Sequence, residues 1–143
     1  MHINADLLEG DHDFNNGADT FKVALLKANA SITGTYGAAT TNYSDVTGNS
    51  DELPNGSGYT TGGYALTNVN PTSSGTTAFT DFSANAQWTS ATFTTRGCII
   101  YNSSDGNSAV AMINFGADYS VSGGTFEIQW PTADSSNAII RIA

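Results

Sequence analysis

The stretch EGDHDFNNGAD, residues 9–19, gathers acid, imidazole and amide side chains at one place in the chain. Asp11, Asp13 and Asn15 alternate as the oxygen ligands of a calcium loop do. An EF-hand loop also needs glycine at its sixth position and a bidentate Glu at its twelfth. Counted from Asp11, the sixth position is Asn16, Gly17 comes one place late, and the twelfth is Lys22, whose ammonium repels a cation. The stretch therefore reads as a polar lead-in whose Asn16-Gly17 turn feeds the first strand, and no metal ligands are assigned to the chain. Zinc fits less well, because His2, His12 and Cys98 do not make the set of four that a structural site takes.

Other catalytic patterns fail for equally specific reasons. Cys98 lies in the apolar run GCIIY, where a small buried hydrophobe is expected rather than a nucleophile, and as the single cysteine it forms no internal disulfide. GYTTGG (58–63) lacks the Lys-Ser/Thr and the helix of a phosphate loop, and no G-x-S-x-G elbow occurs. Asp81, Asp118, Glu127 and Asp134 could supply a glycosidase-like pair, but each falls at a strand end or on an outward face, where carboxylates are solvated. The chain is expected not to be an enzyme and to take no cofactor. Tyr36, Tyr43, Tyr59 and Tyr64 sit in or beside a long polar segment, and tyrosine suits wet interfaces. They either pin that segment to the body of the protein, meet another protein, or stack on a glycan. Together with Asp11, Asp13 and Phe14 of the lead-in they are the candidate partner-contact residues.

The elements that would position these residues follow from composition and period. The chain has 143 residues, which suits one domain with a real core. Only 12% of residues are charged, and Thr, Ser, Asn and Gly fill the difference, as in short strands joined by many turns. The net charge is −9 with just Lys22, Lys27, Arg96 and Arg141 as cations, so there is no basic footprint for nucleic acid or for an anionic membrane. MHINADLLEGD lacks the basic start and apolar core of a signal peptide, no apolar run reaches the ~20 residues of a membrane helix, and a soluble protein made in a cytoplasm is expected. The four glycosylation sequons carry no weight without secretion.

Residues 1–19 form a lead-in or arm, with a brief helical turn in NADLLEGD capped by Asn4 or Asp6. Residues 20–143 form a single β-sandwich domain. TFKVALLK places Phe21, Val23 and Leu25 on one face of a strand. Residues 28–58 read as a long loop anchored by Ile32, Tyr36, Tyr43 and Val46. YALTNVN (64–70) and TTAFTDF (76–82) form a hairpin around PTSSG. QWTSATFT (87–94), RGCIIYN (96–102), AVAMINFG (109–116) and GTFEIQWP (124–131) read as separate strands, the second and third joined by a turn at Asp105-Gly106. CIIY is apolar on both faces and should be a central strand covered on each side. Phe126, Ile128 and Trp130 share one face, and Ala138, Ile140 and Ile142 point inward from the last strand. The sum is an all-β antiparallel sandwich, jelly-roll-like or immunoglobulin-like, of eight or nine strands. The pattern predicts that removing residues 1–18 leaves the sandwich folded but weakens its attachment to a partner, and that Trp130→Ala costs about 3–5 kcal/mol as for a buried aromatic.

From Thr20 to Ala143 the chain resembles small structural proteins of tailed bacteriophages, through DTFKVALL, GYTTGGYAL, TTAFTDF, QWTSATFTTRGCIIYN, AVAMINFG, GTFEIQWP and IIRIA. None of these motifs is catalytic; the likeness lies in strands and turns, and the acidic lead-in is less typical. The resemblance implies a virion component, foremost a capsid decoration or cement protein on the outer shell. Its partners would be the major capsid protein or other virion proteins, with self-association into a homo-oligomer and no direct contact with nucleic acid or membrane. A neck, tail or head-fibre component and a glycan-binding module remain the alternatives.

Overall fold

The computed structural model describes residues 3–143. Strand β1 (Phe21–Lys27) has the apolar alternation noted above, and it buries both of its faces. It lies between β2 (Tyr64–Ala65) and β5 (Ala86–Asn102), and β6 (Ser108–Ile128) completes a four-stranded antiparallel sheet in the order β2-β1-β5-β6. A second, three-stranded sheet has the order β3-β4-β7, from β3 (Thr72–Ser74), β4 (Thr77–Thr80) and β7 (Ile140–Ile142). The molecule is thus an all-β antiparallel sandwich.

Among the described residues seven strands are present rather than eight or nine. The difference lies at joins between strands read as separate, which prove to be bulges inside two long strands. Residues 86–102 run as one strand, with a register shift between Thr95 and Gly97 where two strands were expected to part and another between Trp88 and Ala91, where Ser90 takes φ 50°. Residues 108–128 run opposite them. Between the pairs Gly97↔Asn114 and Thr95↔Tyr119, residues 115–118 stand opposite Arg96 alone, and Gly116 takes φ +82° within this bulge. A bulge satisfies the same glycine and polar signals as a turn, but it bends and twists the strand instead of reversing it. The hairpin turn at Asp105-Gly106 occurs as expected, with Asn102 paired to Ser108.

The central position of CIIY holds. Cys98 and Ile100 join Phe21, Val23 and Leu25 in one core, while Ile99 and Tyr101 join Ala24 and Leu26 in another on the opposite face. Two-residue periodicity assigns alternate residues to the two cores. The first core is closed by Phe82, Trp88 and Tyr59, with Ile139 and Ile140 packed against it. The second is closed by the segment read as a loop. That segment contains a 3-10 turn (Asn29–Ser31) and a short helix, α2 (Tyr43–Gly48), which inserts Val46. A capping box starts α2: Asn42 Oδ1 accepts the Ser44 N–H at 2.9 Å and Asp45 Oδ2 accepts the Asn42 N–H at 3.2 Å. At six residues, α2 is too short to show helical periodicity in sequence.

The polar segment 58–63 lies directly on β1. A Cβ at Gly63, which has φ +76°, would come within 2.0 Å of the Val23 carbonyl oxygen, so only glycine allows this approach. The predicted hairpin of 64–70 with 76–82 is only partly found. Asn68 pairs with Phe82, but PTSSG contributes β3 itself, and Tyr64-Ala65 pair with β1.

The lead-in is not a free arm. Its first part is helix α1 (Ile3–Glu9), whose Ile3 and Leu7 pack against the first core. His12 and Phe14 are buried, and the Phe14 ring stacks parallel on Phe21 at 4.2 Å. Alternation of polar and apolar types (Asp11, His12, Asp13, Phe14) places the second set inward, as a strand would, though no strand forms. At the other end, Ile142 is 53% exposed rather than inward; it lies in the edge strand β7, whose Ile140 packs against the first core together with Ile139 just before the strand, where Ala138 is buried.

Trp130 is half-buried. Its ring lies 5.4 Å from that of Phe82, and Nε1 donates to the Ala84 carbonyl at 3.0 Å. Trp130→Ala is therefore expected to cost about 2–3 kcal/mol in urea unfolding, below the range for a fully buried aromatic. A loss under about 1 kcal/mol would mean that this ring contributes nothing to the core. No helix among the described residues is long and apolar enough to cross a membrane.

Candidate interaction surface

Three of the four candidate contact tyrosines give their hydroxyls to buried carboxylates. Tyr36 Oη donates to Asp51 Oδ2 at 2.5 Å. The same carboxylate accepts the Thr33 and Gly34 N–H groups at 2.8–3.0 Å and the Thr33 hydroxyl at 3.0 Å. Tyr59 Oη donates to Glu52 Oε1 at 2.7 Å, the Gly62 N–H reaches the same oxygen at 2.7 Å, and Tyr43 Oη donates to Oε2. Tyr43 also stacks on Tyr101 at 4.3 Å. Asp51 and Glu52 are both buried, so two adjacent carboxylates gather three phenols and the surrounding backbone into one knot.

Electrostatics keep the knot closed. Burial, then the bond to Asp51, pushes the Tyr36 hydroxyl up to about 12. Burial, then Glu52, raises Tyr43 and Tyr59 in the same way. For Asp51 burial works upward, but the bonds from Tyr36, Gly34 and Thr33 outweigh it and hold the carboxyl below its ordinary value. The phenols remain protonated donors and Asp51 remains a charged acceptor. The arrangement fastens the 28–63 segment onto the sheet. Tyr59 is interior, Tyr36 and Tyr43 are half-buried with their hydroxyls spent, and Tyr64, edge-on to Trp88 at 5.8 Å, is the partly open one.

In the lead-in, Phe14 is interior while Asp11 and Asp13 are exposed. Asp13 Oδ1 accepts the Asn15 N–H at 2.9 Å and so shapes the turn ahead of β1. The carboxylates weighed for catalysis each hold structure locally. Asp81 is buried and accepts the Phe82 and Ile139 N–H groups, with burial raising its pKa. Asp118 accepts the Asn29 N–H and lies 4.0 Å from Arg96. Glu127 is bonded by Gln87, Asn85 and Gln129, and Asp134 caps the turn at Ser136 and Asn137. Cys98 is fully buried, which pushes its thiol up to about 12.

The surface with the clearest capacity for contact lies elsewhere, on the outer half of the β5–β6 ribbon. Residues 86–95 pair with 119–128, beyond the reach of β1, whose pairing with β5 ends at Thr95. Aromatic rings follow one another along this half: Phe93 and Phe126 at 5.5 Å, Phe126 and Phe115 at 6.2 Å, Phe115 and Tyr119 at 6.1 Å. Phe115, Tyr119, Phe126 and Ile128 line a shallow depression of about 280 Å³. Tyr119 is 50% exposed and the rest of the row is half-buried. β6 is also an edge strand, bridged on its outer side at Ser108 by Asn42 and by no other strand among the described residues. An open edge with apolar side chains beside it is a ready template for another chain.

No protein family, no curated protein and no solved structure matches this chain. Sequence reasoning missed the contact surface because residues 117–123 fall in the gap between the strands read at 109–116 and 124–131, although Tyr119 and Val121 already show the alternation of a strand.

Proposed function

We propose that this chain is a structural protein of a tailed-phage virion, foremost a capsid decoration or cement protein that binds across capsid subunits. The row of half-buried rings ending in half-exposed Tyr119 on the open β6 ribbon carries the reading, because it offers apolar contact and backbone hydrogen bonds on one edge. The sequence resemblance gives the class of particle. The chemistry of the rest of the molecule agrees with a clamp: two cores on either side of one sheet make it stiff, and a net charge of −9 suits basic protein surfaces and repels DNA. In this reading the protein is made in the host cytoplasm and ends on the capsid surface.

Purified particles test the class directly. A cement protein is present at hundreds of copies on a stained gel, whereas a neck, tail or head-fibre component is present at few, and absence from the particle overturns both. The ribbon is tested by Tyr119→Ala. Because Tyr119 is half exposed, the change is expected to leave the melting temperature within a few degrees. It is expected to weaken attachment to shells stripped of the protein at least tenfold, about 1.4 kcal/mol. Unchanged attachment would remove the ribbon from the contact.

A further inference from the structure

Arg96 stands at a break in both ladders of β5. Towards β1 the pairs are Leu26↔Gly97 and Lys27↔Thr95, and towards β6 they are Gly97↔Asn114 and Thr95↔Tyr119, so Arg96 has no opposite residue on either side. A bulge of this kind re-aims a side chain that a regular ladder would have placed. Arg96 lines a cavity of about 310 Å³, which lies between the sheet and the 28–63 segment. One side of the cavity is apolar: Leu26, Ile32, Tyr36 and Met112 all belong to the second core or pack against it. Glycine at position 34 lets the Tyr36 ring close one wall, because a Cβ there would come within 2.6 Å of Tyr36 Oη.

The polar side is short of acceptors. Arg96 Nε is buried without a hydrogen-bond partner among the described residues. Asp118 Oδ1 lies 4.0 Å from Nη1, beyond hydrogen-bond reach, and it is held there by the Asn29 N–H at 2.9 Å. The guanidinium side chain is 25% exposed, so its Nη groups are open to an incoming acceptor. Asn114 stands nearby in the same lining. Its Oδ1 accepts the Gly116 N–H at 2.9 Å, which leaves the Nδ2 donors unspent.

We propose that this cavity binds a small organic monocarboxylate, with the carboxylate on Arg96 beside Asn114 Nδ2 and an apolar body on Leu26, Ile32 and Met112. A planar guanidinium fork matches the two oxygens of a carboxylate. Single charge is set by the surroundings. Asp118 already offsets the one cation, and the chain carries a net charge of −9, so a dianion such as phosphate is repelled where a monoanion is held. The volume lies at the small end of ligand sites, which limits the body to a short chain or a single ring. This site shares no lining residue with the depression at Phe115 and Tyr119 and does not rest on the virion reading.

The test uses the full chain with sodium hexanoate as the probe, and with hexanamide and inorganic phosphate as controls. Amide NMR should show saturable shifts at residues 34–37, 96–97 and 112–114 with hexanoate, and at least tenfold weaker binding of both controls. Arg96→Gln removes a guanidinium that makes no hydrogen bond among the described residues, so the melting temperature should stay within a few degrees of the wild type. Its hexanoate affinity should fall at least tenfold, while Arg96→Lys, which keeps the charge and loses the fork, should lie between the two. No shift up to about 10 mM hexanoate, ten times the millimolar end of ordinary affinities, would overturn the proposal. So would equal binding of hexanamide or phosphate, or unchanged affinity in Arg96→Gln. If that variant folds poorly, the comparison of the three probes on the wild type decides by itself.

Discussion

Deleting residues 1–18 is expected to abolish the cooperative thermal transition of the full chain, or to lower it by tens of degrees. The deletion removes Phe14 from its stack on Phe21 and leaves that face of the first core open to water. Losing a buried phenylalanine by itself costs about 3–5 kcal/mol. Two buried amides lose acceptors as well. Asn102 Nδ2 gives up the Asp11 carbonyl at 3.1 Å, and Asn68 Nδ2 gives up the Asn15 carbonyl at 3.3 Å. Each orphaned buried donor adds about 1–3 kcal/mol, and the total stability of a domain is only about 5–15 kcal/mol. Circular dichroism melts of the full and shortened chains decide it, and equal transitions would show that the lead-in is an arm after all. Phe14→Ala alone should lower stability by about 3–5 kcal/mol, which separates the core contribution from any effect on attachment.

The knot around residues 51 and 52 should respond almost as strongly. Asp51→Ala leaves the Thr33 and Gly34 N–H groups and the Tyr36 hydroxyl without their acceptor, and a loss of about 3–5 kcal/mol in urea unfolding is expected. The sign of its pH dependence follows from its folded pKa, which lies below the ordinary 3.8. The unfolded state takes up the proton first as pH falls, so the stabilisation is complete above the unfolded pKa. It is lost as pH drops through the folded one. The gap between wild type and variant should therefore be constant from neutrality to about pH 5 and close below about pH 4. Buried Asp81 has a raised pKa and the opposite sign, but it is common to both proteins and cancels in the difference. A gap that narrows at neutral pH instead would show that the knot is held by some other group.

Much of this architecture was legible in the chain because it depends on local period. Alternation in TFKVALLK and GCIIY located β1 and the centre of β5, and the double-sided apolar run gave the covering of both faces. Asp105-Gly106 gave the hairpin between β5 and β6. Bulges escaped, because a bulge and a turn use the same residues and differ only in whether the partner strand continues beside them. Helix α2 escaped because its single buried residue, Val46, sets no period, though Asn42 and Asp45 were spaced as a capping box.

Side-chain destinations were less legible than strands. Tyrosine is suited equally to a surface and to a buried carboxylate, and nothing local in the sequence says that Asp51 and Glu52 turn inward to meet Tyr36, Tyr43 and Tyr59. Those partners are up to 15 residues from their carboxylates, so only the closed loop brings them together. The same holds for His12 beside Asn102, 90 residues apart. The all-β class, the two faces of the central strands and the acidic, cation-poor composition were readable from residue type and nearest-neighbour period alone. It took the folded chain to bury His12 and Phe14 of the lead-in, to make fasteners of Tyr36, Tyr43 and Tyr59 and to leave the β6 ribbon at an open edge. Each of those depends on which distant segment covers a given side chain, and burial is a property of the pair rather than of the residue.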